Sequence, residues 1–107
     1  MEEKFTAVYV MVRQSELTPE DGGSYDVPLE KQKQACLRFL RKVDGNDAGK
    51  KVEIYTSRSK LLIDVERDLV NRLVIAGPDR LGSSGVEIDG ILFELKMRNV
   101  EILTVSD

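Results

Sequence analysis

An arginine and a serine stand two positions apart where the first apolar run ends, in Ala7-Val8-Tyr9-Val10-Met11-Val12-Arg13-Gln14-Ser15. Side chains alternate faces along a strand, so a chain extended as far as Ser15 puts Arg13 and Ser15 on one side. A guanidinium beside a hydroxyl, at the carboxyl end of a buried strand, is what phosphoryl transfer through a serine nucleophile requires. The arginine stays charged and offers several donors to a phosphate. A second apolar run, Leu73-Val74-Ile75-Ala76, leads through Gly77-Pro78 into the pair Asp79-Arg80 and then Leu81-Gly82-Ser83-Ser84.

These residues are useful only if the fold brings them together. Strand and helix signals alternate along the chain. Residues 5–12 read as a strand buried on both faces, because the run is almost continuously apolar. Residues 16–27 are polar, with Pro19, Gly22 and Gly23, and read as a mobile loop. A helix is expected from about Pro28, with Asp26 as its cap. Its sheet-facing residues are Leu29, Cys36, Phe39, Leu40 and Val43. Asp44-Gly45-Asn46-Asp47-Ala48-Gly49 ends it in a turn. Residues 51–56 read as the second strand, 59–69 as a short helix and 72–76 as the third strand. A further helix over 86–99 carries the stripe Ile88, Ile91, Leu92 and Leu95, and residues 100–105 read as the last strand.

Such alternation predicts a three-layer α/β domain with a mainly parallel four-stranded sheet, each right-handed crossover packing a helix back onto it. The expected strand order is 2-1-3-4. The first and third strands are then neighbours, and the chain reverses direction between them. Ligands in such sheets bind at the carboxyl ends at that switch point. Arg13, Ser15, Asp79 and Arg80 should meet there.

A chain of 107 residues reads as one domain. With 41% hydrophobic and 33% charged residues it reads as soluble and globular. No apolar run approaches the ~20 residues of a membrane span. The acidic start Met1-Glu2-Glu3-Lys4 runs directly into a strand and is not a signal peptide, so a cytoplasmic protein is expected. Cys36 is the single cysteine; its place among Leu37, Phe39 and Leu40 reads as a small buried apolar side chain. The lack of histidine excludes histidine acid–base chemistry and argues against a zinc site. A net charge of −3 gives no general attraction to DNA, so contact with DNA would need a local basic patch, oligomerisation or another domain.

The order and placement of these motifs resemble the catalytic domain of the serine recombinases: resolvases, invertases and large serine integrases. In that family the first strand ends in Arg-x-Ser and a later strand in Asp-Arg-Leu-x-Arg. Leu29-Glu30-Lys31-Gln32 opening a helix and Asn99-Val100-Glu101-Ile102-Leu103-Thr104-Val105 closing the chain add to the likeness, which runs from Lys4 to Asp107. The resemblance implies a resolvase-like fold, no cofactor or metal, and DNA as partner. Ser15 would attack a DNA phosphodiester, Arg13 and Arg80 would bind the phosphate, and Asp79 would orient an arginine or assist proton transfer. Arg67 or Arg58 would supply a further phosphate-binding arginine. Read without the family, Ser15 is a polar residue opening a loop, Asp79 a turn residue, and the arginines solvated surface charges. Tyr9 reads as core or as a wall of the site.

The chain departs from the family pattern in several places. Met11 stands where a tyrosine is usual, Ser83 replaces the last arginine of Asp-Arg-Leu-x-Arg, and the segment between the second and third strands is short. The final strand, the long dimer helix and the DNA-binding domain are missing, as in a fragment or a reduced member. A second register is also open. With Tyr9 on the family tyrosine, Met11 falls on the arginine and Arg13 on the nucleophile, which leaves no serine. The register Arg13-Gln14-Ser15 keeps both chemical groups. Two rivals to a cleaving enzyme follow. One is a non-enzymatic α/β module used for protein association or regulation. The other is a nucleotide- or flavin-binding domain, disfavoured because no glycine-rich turn follows the first strand. The third helix carries Phe93 and Met97 off its main apolar stripe, but without the family's dimer helix little apolar surface is left for a large interface, so a monomer or weak dimer is expected.

Overall fold

The computed structural model describes residues 4–19, 22–45 and 51–105. Four short strands, β1 (Phe5–Tyr9), β2 (Val52–Tyr55), β3 (Val70–Ile75) and β4 (Glu101–Thr104), form one sheet in the order β2-β1-β3-β4. All three pairings are parallel. The architecture and strand order match the sequence expectation. Three helices connect the strands: α1 (Asp26–Asp44), α2 (Arg58–Glu66) and α3 (Gly85–Met97).

The two faces of the sheet separate by strand alternation. Phe5, Ala7 and Tyr9 of β1 point with Leu73 and Ile75 of β3 into a core completed by Leu61 and Val65 of α2 and Leu95 of α3. Val8, Val10 and Val74 point the other way, onto Cys36 and Leu40 of α1. Cys36 is fully buried, and burial raises its thiol pKa, in keeping with a packing role. The central strand β1 has all five residues buried.

Element ends differ from the sequence reading for identifiable reasons. β1 stops at Tyr9, three residues early. The Val10 N–H still reaches Tyr55 O at 3.0 Å, but both backbone groups of Met11 are taken by the Gln32 side chain of α1 at 2.9 Å each. That side-chain amide occupies the groups a strand partner would need. α1 begins at Asp26 rather than near Pro28, and Asp26 is its first residue, not its cap; Tyr25 precedes it without a side-chain cap. Val43 is half exposed rather than packed on the sheet. The last turn is held instead by Asp44, whose carboxylate takes the Arg72 guanidinium at 2.8 and 2.6 Å. α1 closes at Gly45, with φ 67°, in the left-handed region that glycine enters without a Cβ penalty. The rest of the expected turn, 46–49, lies outside the described residues.

The other two helices start on side-chain caps. The Ser57 hydroxyl accepts from the Lys60 N–H at 3.3 Å, and that of Ser84 accepts from the Glu87 N–H at 3.2 Å. Buried Tyr55 donates its hydroxyl to the buried Asp64 carboxylate at 2.6 Å, tying β2 to α2. Among the described residues no helix is long and apolar enough to cross a membrane.

Candidate functional site

The switch point between β1 and β3 carries a cavity of about 300 Å³, lined by Tyr9, Met11, Arg13, Arg58, Arg80, Gly82, Ser83 and Glu87. Three loops build it. After Tyr9 the chain runs on to a 3₁₀ turn at Gln14–Glu16. After β3, Gly77 leads into a second 3₁₀ turn at Pro78–Leu81, with proline in its first turn. Arg58 enters from the first residue of α2, directly after β2.

The expected convergence of Arg13, Asp79 and Arg80 is present. The Arg13 guanidinium donates to the carbonyls of Asp79 and of Gly82, the latter at 3.0 Å, and lies 3.5 Å from the Asp79 carboxylate. Arg80 donates to the Met11 carbonyl at 2.8 Å and grips Glu16 with both terminal nitrogens, at 2.6 and 2.8 Å. Arg58 reaches the Leu81 carbonyl at 3.0 Å and the Glu87 carboxylate. Arg67 is elsewhere: exposed at the end of α2, it lines a separate groove along β2 with Lys60, Asp64 and Leu69.

Ser15, on the turn between Arg13 and Glu16, is not among the residues that line the switch-point cavity. The backbone is extended at Arg13 (φ −86°, ψ 153°) but turns as 3₁₀ from Gln14. The strand alternation that would align Ser15 with Arg13 is therefore broken one residue before it matters. Ser15 is exposed and is not among the residues lining the cavity. The side chains that line it from this segment are instead Tyr9, Met11 and Arg13, spaced by two.

Two carboxylates that the sequence reading passed over dominate the electrostatics. Glu16 lies between Arg80 and Arg13, accepting the Arg13 N–H at 3.0 Å besides the Arg80 pair. The Arg80 hydrogen bonds, then the Arg13 N–H, hold its carboxyl below the ordinary 4.5. Glu16 raises Arg80 in return. Glu87 accepts from Arg58 and from the Ser83 N–H at 3.2 Å, which likewise lower its pKa. Gly82 is where these chains pass closely: a Cβ there would sit 2.6 Å from the Glu87 carboxylate. The spacing Ser84-x-x-Glu87 is a capping-box signature and a readable signal for Glu87; Glu16, three after Arg13, has a weaker one. Tyr9 is buried, and burial raises its phenol pKa while Arg58 and Arg13 oppose the rise.

The arginines Arg13, Arg58 and Arg80 are thus matched by Glu16, Asp79 and Glu87. An incoming phosphate would have to replace carboxylates already in place. The Glu16 interaction has a pH signature. A carboxyl depressed in the folded state contributes stability above its unfolded pKa and loses it as pH falls through the folded value. Glu16→Gln should therefore lower the unfolding temperature near neutral pH, and the gap from the native chain should close below pH 4.5. A gap independent of pH between about 7 and 2, in thermal melts, would contradict the ion pair.

Among the described residues no cluster of histidine, cysteine, aspartate and glutamate could hold a metal ion. No family model matches the sequence, and no curated protein matches it.

Proposed function

We propose that the chain is a serine-recombinase-like α/β module, cytoplasmic, that does not cleave DNA and acts through protein association. One observation carries this reading: Tyr9, Met11 and Arg13 line the cavity at the end of β1, and Ser15 does not. That spacing supports the register in which Met11 occupies the family's arginine position and Arg13 its nucleophile position. Ser83 in place of the last arginine points the same way. The carboxylates of Glu16 and Glu87 on the remaining guanidiniums make the cluster a bracing network between the loops after β1, β2 and β3. A net charge of −3 gives no general attraction to DNA, which favours an association role over free-standing DNA binding.

A cleaving recombinase is the second reading. It is favoured by the exposure of Ser15 on the turn between Arg13 and Glu16, and it requires Glu16 to leave Arg80. One assay separates the two. The chain is fused to the DNA-binding domain of a serine recombinase and given that domain's site on a labelled duplex. Denaturing gels then score covalent protein–DNA adducts. The proposal expects none, from the native sequence or from Ser83→Arg. An adduct that forms and disappears in Ser15→Ala would overturn it in favour of the cleaving enzyme.

A further inference from the structure

Helix α3 is apolar on two opposite sides. Ile91, Leu92 and Leu95 face the sheet core. On the far side Val86, Phe93 and Met97 are 86%, 64% and 66% exposed, with exposed Gly90 between them. At about 100° per residue, Val86, Gly90, Phe93 and Met97 fall within a sector of roughly 60°, a continuous stripe along a helix about 20 Å long. Nothing else in the described fold covers it.

Gly90 is the informative member. Glycine inside a helix is unfavourable relative to alanine. A Cβ at Gly90 would meet nothing within 4 Å, so packing within one copy of the chain gives no reason for it. A bulky side chain arriving from outside would. The stripe supplies one at Phe93.

We propose that α3 pairs antiparallel, about a two-fold axis, with α3 of a second copy of this chain. In that register Phe93 of each copy seats over Gly90 of the other, and Val86 meets Met97. Asp89 and Lys96, both exposed, flank the same side of the stripe. The antiparallel arrangement sets Asp89 opposite Lys96 of the second copy, twice by symmetry. A parallel pairing would instead oppose Asp89 with Glu94, since flanking charges set helix orientation. On the other flank Glu94 is held by Arg98 at 2.8 Å and Glu87 by Arg58, which reduces repulsion between copies. A contact of three turns is smaller than the ~1,200–2,000 Å² typical of stable complexes, so the dimer is weak, with Kd on the order of 10⁻⁴ M.

This deepens the association role proposed above, and its test is independent of the adduct assay. Sedimentation equilibrium of the native chain up to about 1 mM should show monomer–dimer exchange. Phe93→Glu, at an exposed position, should keep the helical signal and raise Kd at least tenfold. Asp89→Lys and Lys96→Asp should each weaken self-association at low salt. An equimolar mixture of those two variants should pair more tightly than either alone, because one then presents two cations and the other two anions. A native chain monomeric at 1 mM, a dimer that survives Phe93→Glu, or a mixture no tighter than its components would each overturn the proposal.

Discussion

Leu73→Ala should lower folding stability by about 2–5 kcal/mol. Leu73 is fully buried in β3, between β1 and β4, and faces the core shared with α2 and α3. Truncation removes transfer free energy and leaves a cavity that the strand cannot close, because its backbone is fixed by ladders on both sides. Against a total of ~5–15 kcal/mol for a domain of this kind, the variant should be partly unfolded at modest temperature. Urea unfolding should show a lower midpoint with an unchanged slope. Leu103→Ala, on the partly buried face of β4, should cost less. Equal costs at the two positions would mean that the core is not distributed as described.

The second large effect is expected at Arg72. Its guanidinium holds both Asp44 oxygens and donates through Nε to the Thr6 hydroxyl at 3.1 Å. Both partners of the ion pair are only 12% exposed. Breaking a buried pair from one side costs roughly 3–5 kcal/mol, because a charge is left behind in poor solvent. The residual exposure puts Arg72→Ala at the lower end, about 3 kcal/mol. The double variant Arg72→Met with Asp44→Leu should recover much of the loss, since it removes both charges and keeps apolar bulk. A single variant no weaker than a surface substitution, measured by urea titration, would show the pair to be solvated.

The fold was readable because its signals repeat at every level. β1 and β3 are unbroken apolar runs, as strands buried on both faces must be, and the Ser57 and Ser84 caps mark where helices follow strands. The expected strand order 2-1-3-4 is the one found. What could not be read were interactions between distant side chains and backbone. Nothing local says that Gln32 ends β1 by taking both backbone groups of Met11. Without that knowledge the strand appears to run on to Val12, and Ser15 appears to share a side with Arg13. The convergence of Arg13, Asp79 and Arg80 was legible from topology alone. The state of those arginines was not: the local spacing marks Glu87 and, more weakly, Glu16 as helix-start carboxylates, but nothing local says that they also reach Arg58 and Arg80 from other loops.

The position of β1 at the centre of the sheet fixes the order in which the domain can form. β1 is synthesised before both of its partners, Val52–Tyr55 on one side and Val70–Ile75 on the other. Closing those long segments costs chain entropy before any ladder forms, and parallel pairing allows no local hairpin to begin it. A growing chain therefore carries its most apolar strand with no partner until Tyr55 has been made, and with one side open until Ile75 follows. Folding should be slow for a domain of this size, because the sheet is built from long-range parallel pairings. During that interval the segment Phe5–Val10 is the part of the molecule most exposed to wrong pairing with another unfinished copy.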